Sequence, residues 1–150
     1  MIRAILIFTG LCDQLLIRNC NIVVALQKSE VCEVWVKCNS TEDLFTDIEL
    51  AINKGMLLEE VAFLTGLRIK GYAINREVIE TNRSSKESVE GEIKFEFYTP
   101  ISKWIESLNL KKISIDVKNR KAIAILKTPV KIEQLFDLGL RLLKPKRVPP

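Results

Sequence analysis

The side chains of this chain best suited to chemistry are its cations and its thiols. Residues 100–150 carry 12 Lys and Arg against 4 Asp and Glu, net +8, whereas residues 1–99 carry 11 against 15, net −4. Lys111, Lys112, Lys118, Arg120 and Lys121 bracket one alternating segment, and Lys144, Lys146 and Arg147 lie on a proline-bracketed tail. Several phosphate contacts from such a set would give sequence-independent, salt-sensitive nucleic-acid binding. The same positive field suits an acidic protein partner.

Cys12, Cys20, Cys32 and Cys38 all fall early and contain no C-x-x-C, so neither a zinc ribbon nor a thioredoxin-type redox pair is indicated. Their expected state is buried and reduced, as small hydrophobes; disulfides and reactive thiols are the alternatives. Histidine is absent, which removes His-based triads, His general bases and imidazole zinc sites. Glu59 and Glu60 are adjacent and diverge by about 100° on a helix, so they make no facing acid–base pair. No catalytic residue, metal ligand or cofactor motif is assigned, and the reading leans away from an enzyme.

The elements that would position these groups follow from periodicity. Ala4–Phe8 and Ile22–Leu26 are continuous apolar runs, and 31–38 alternates, so three strands are expected there. Trp35 falls on the polar parity of its strand, either covered by another element or acting as a protein contact. Ser40, with Asp43 three residues on, opens a helix over 41–54. Leu57–Leu64 reads as a second, shorter helix. Thr99-Pro100 and Thr128-Pro129 open helices over 100–109 and 129–143. On the last, Leu138 and Leu140 lie off the Ile132–Leu143 stripe and are assigned to a protein interface. Gly139 lies on that stripe, where it would allow a neighbouring backbone to approach closely.

The stretch from Glu60 to Leu67, with Ala62 and Gly66 at the small-residue and turn positions, resembles the first half of a helix-turn-helix. With the hairpin expected across 82–91 and the helix start at Phe97–Pro100, residues 41–100 are similar to a winged-helix DNA-binding domain. That resemblance implies that Arg68, Lys70 and Arg76 enter the major groove and that Arg83 and Lys86 on the wing meet phosphate.

The expected fold is a single α+β domain over 1–143 with a basic tail at 144–150. An antiparallel or mixed sheet of about six strands would be packed by three main helices. The apolar N-terminal run is too short for a membrane span or a signal peptide, so a cytoplasmic protein without a membrane partner is expected. The leading function is a small nucleic-acid-binding or regulatory protein. The alternative is an accessory or structural subunit of a larger assembly or homo-oligomer, using Trp35, Leu138 and Leu140.

Overall fold

The computed structural model describes residues 1–71 and 87–143, and the chain divides into two compact units, Met1–Ser85 and Lys86–Pro150. In the first, β1 (Ile2–Thr9), β2 (Asn21–Lys28), β3 (Val31–Cys38), α1 (Thr41–Asn53), β4 (Leu57–Phe63) and β5 (Arg68–Lys70) follow in order, with one 3-10 turn at Cys12–Gln14. The strands form one antiparallel sheet in the order β2-β3-β1-β4-β5. Because β3 and β4 both run against β1, they are parallel to each other, and α1 is the crossover between them: a split β-α-β unit. Ala4, Leu6 and Phe8, Cys32 to Cys38 at alternate positions, and Leu58, Val61 and Phe63 form the core with Leu44, Phe45, Ile48 and Ala51 of α1. The start of α1 is as the sequence requires, since Ser40 Oγ accepts the Asp43 N–H at 3.2 Å, a cap worth about 1 kcal/mol.

The second unit contains β6 (Ser88–Val89), β7 (Glu92–Phe97), α2 (Ile101–Trp104), β8 (Leu110–Asp116), β9 (Lys121–Leu126), β10 (Val130–Lys131), α3 (Ile132–Asp137) and β11 (Leu140–Leu142). Four of its strands make an antiparallel sheet in the order β11-β7-β9-β8, while β6 and β10 pair separately. Two split units interleave: β7-α2-β8 straddles β9, and β9-α3-β11 straddles β7, a β-α-β-β-α-β connectivity of the ferredoxin-like kind. Such a connectivity carries no function by itself. Trp104 centres the core, its ring 5.2 Å edge-on from Phe95 and 5.4 Å from Phe97.

The structure corrects the expected fold class. Among the described residues it is mainly β: three antiparallel sheets of five, two and four strands with three short helices stand in place of one sheet of about six strands under three main helices. The winged-helix resemblance falls with it, because β4 and β5 occupy the positions that need helix, turn and helix. A bulge explains the misreading. Glu60 lies opposite Ile7 but Leu58 opposite Phe8, so Glu59 is an extra residue. The inward residues Leu58 and Val61 are thereby three apart, a helical spacing on a strand.

The last helix ends at Asp137 because Gly139 adopts φ 76°, after which Leu140 and Leu142 alternate as β11. Thr99 does not cap α2; its hydroxyl donates to the Leu138 carbonyl at 2.5 Å, tying the start of α2 to the end of α3.

Candidate interaction surface

The first unit is organised around the segment between β1 and β2. Cys12 is bonded to Cys32 and Cys20 to Cys38, so both ends of this segment are stapled to β3. This corrects the expectation of reduced thiols. All four thiols converge because Cys32 and Cys38 share the α1-facing side of β3, which the strand's period of two dictates. Two disulfides point to an oxidising, extracellular or secreted environment, and the cytoplasmic expectation is overturned. Among the described residues no helix is long and apolar enough to cross a membrane.

Asp47, fully buried on α1, completes the fastening. Its carboxylate accepts the backbone N–H groups of Arg18, Asn19 and Cys20 at 2.8–3.1 Å, and Asn19 Nδ2 at 3.0 Å. Four donors around one carboxylate satisfy its lone pairs and fix Cys20 for its partner on β3. Sequence periodicity missed Asp47; its one signal was an acid on the apolar stripe side of α1. A shallow cleft of about 470 Å³ lies between the stapled segment and the end of α1, lined by Asp13, Gln14, Leu15, Leu16, Arg18 and Lys54. Its acidic and basic side chains are mixed, which selects no charge class of ligand.

Fastening this segment leaves the outer edge of β2 uncovered. β2 is the terminal strand of its sheet, and Asn21, Ile22, Ala25, Gln27 and Lys28 are exposed along it, Ile22 to 47%. From Asn21 to Gln27 the strand carries no charge. The charge of Lys28 is turned back onto the sheet, 3.3 Å from Glu33, which also accepts from Trp35 Nε1 at 3.1 Å. Alternate residues of an edge strand present unpaired N–H and C=O groups, so the seven uncharged residues Asn21–Gln27, bulged at Val23, can template a further strand.

The other long edge is guarded. β8 carries Lys111 and Lys112, and the remaining edges among the described strands are short, β5 and β11 at three residues and β6 and β10 at two. Among the described edges, β2 alone runs seven residues, Asn21–Gln27, without a charge.

The residues singled out from sequence are not gathered into one patch. Lys118 and Arg120 sit in the β8–β9 turn and Lys121 begins β9 opposite Asp116, while Lys111 and Lys112 lie toward the far end of β8, about 13–17 Å from Asp116 by strand rise. Lys121 faces Asp116 on one side and Glu96 on the other, and Arg141 is opposite Glu96, so cation and anion alternate across that row of the sheet. Asn119 hydrogen bonds hold the Asp116 carboxyl below its ordinary range, so it stays charged beside those lysines.

Arg68 and Lys70 lie on β5, with Arg68 3.3 Å from Glu60. Trp35 is only 1% exposed, Leu140 is in the core, and Leu138 packs against it. Arg76, Arg83, Lys86, Lys144, Lys146 and Arg147 lie outside the described residues. Comparison of the chain with protein-family models, with curated proteins and with solved structures finds no match.

Proposed function

We propose that this chain is a non-enzymatic interaction module of an oxidising compartment, an accessory or structural subunit of a larger assembly or homo-oligomer, that docks through the edge of β2. The observation that carries this reading is the largely exposed edge strand β2, uncharged from Asn21 to Gln27, beside a segment fastened by two disulfides. Strand addition takes its affinity from main-chain hydrogen bonds and its selectivity from the side chains flanking them. An edge already ordered against β3, regular from Val24 to Lys28 beyond the bulge at Val23, lowers the entropy lost on docking. The nucleic-acid reading has less support, since acids interleave with the cations of the β8–β9 hairpin.

The test is position-specific photo-crosslinking in the protein's native fluid. A photoreactive residue at Ala25 on β2 should give adducts that a Lys at Ile22 suppresses. The same probe at Ser114 on β8 should give few. Equal adducts from both strands, or none from either, would remove the docking reading.

A further inference from the structure

We infer that Asn39 is an acceptor for an N-linked glycan, an inference that rests on the oxidising-compartment part of the proposed function and not on the β2 edge. Asn39-Ser40-Thr41 is an Asn-x-Thr tripeptide whose middle residue is not proline, the pattern that oligosaccharyl transferases read. Those transferases work on secreted chains, and the two disulfides point to that compartment independently of the tripeptide.

The fold leaves this acceptor open. Asn39 is exposed, in the short bend between Cys38, which ends β3, and Ser40, which caps α1. Other asparagines differ on both counts. Asn19 Nδ2 donates to Asp47 at 3.0 Å and Asn119 Nδ2 to Asp116 at 2.7 Å, and neither has a hydroxyl residue two positions on. Ser40 spends its hydroxyl on the Asp43 N–H. The middle residue therefore serves the helix, while Asn39 supplies the nucleophile and Thr41 the hydroxyl that is recognised. Thr41 is half-buried as the first residue of α1, and Cys38 is tied to Cys20. The tripeptide thus enters a transferase cleft before staple and helix close, and the exposure of Asn39 lets the folded unit carry the product.

In the transfer, Asn39 Nδ2 attacks the anomeric carbon of a polyprenyl-diphosphate-linked oligosaccharide. The N–C bond forms as the C–O bond to phosphate breaks. One amide proton is released, and the polyprenyl diphosphate leaves with the bonding pair. The glycan adds bulk and hydration at the β3–α1 corner.

Asn82-Arg83-Ser84 has the same pattern outside the described residues, so the test removes it. The full chain carrying Asn82→Gln is passed through a secretory pathway with an active oligosaccharyl transferase. Mass spectrometry then reads the tryptic peptide 38–54 after reduction and alkylation. A hexose-containing mass increment is expected on it. Asn39→Gln and Thr41→Ala should abolish the increment, and Thr41→Ser, which keeps a hydroxyl, should retain it. Ser40→Ala should retain it too while weakening the helix cap, which separates recognition from stability. An unmodified peptide 38–54 from a secreted chain whose disulfides have formed, or an increment that survives Asn39→Gln, overturns the assignment and leaves the compartment standing. Four free thiols in the secreted chain would overturn both.

Discussion

At position 47 one carboxylate collects three successive backbone N–H groups and a side-chain amide. Replacing it by Ala leaves the buried Cys20 N–H without its acceptor and the half-buried Arg18 and Asn19 donors with only water to take them. Asp47→Ala should therefore cost the oxidised protein about 3 kcal/mol in urea unfolding. Asp47→Asn should recover little of that, because its NH₂ group points a donor at donors. Full recovery by Asn would show that shape rather than charge matters there.

Tyr98 supplies a pH dependence. Its hydroxyl donates to Glu96 at 2.6 Å, and burial first, then the Glu96 carboxylate, push its pKa above the ordinary 10.0, with Arg141 opposing. The folded state thus favours the protonated phenol. That contribution is complete below pH 10 and is lost as pH rises through the folded value. Tyr98→Phe should flatten the alkaline limb of the stability–pH curve while leaving neutral pH nearly unchanged. An unaltered alkaline limb would assign it to other groups.

Secondary elements were legible where their hydrophobic period was unbroken. β1, β3 and α1 formed as periodicity required, and the Ser40 cap set the start of α1 to the residue. Periodicity misled where the backbone departed from regular geometry. The bulge at Glu59 gave β4 a helical spacing. Gly139 joined the stripe of α3 to the alternation of β11, so that one long helix was expected where a two-turn helix and a strand meet. That misjudgement also carried Leu138 and Leu140 to a surface. On a helix extended to 143 they project outward; on β11, Leu140 lies opposite Phe97 and turns inward. Edge status was invisible too, because an interior strand and an edge strand can have the same residues.

Across the whole molecule, both disulfides lie in the first unit and each unit holds one tryptophan, Trp35 in the first and Trp104 in the second. Closing loops of this length stabilises by about 3 kcal/mol per bond, a large share of a domain's 5–15 kcal/mol or so. Reduction should therefore lower the unfolding midpoint reported by Trp35 in a Trp104→Phe variant. The midpoint reported by Trp104 in a Trp35→Phe variant should hold. Equal shifts in both would show that the units unfold as one. The sequence by itself determined the strands of unbroken period, the helix opening at Thr41, the absence of imidazole chemistry and the charge asymmetry between the two ends, since each follows from local composition. Only the tertiary structure decided that the four cysteines pair, that the hairpin cations are interleaved with acids, and that β2 is an edge. Those are properties of which strands become neighbours, and neighbours are chosen by the packing of residues far apart in the chain.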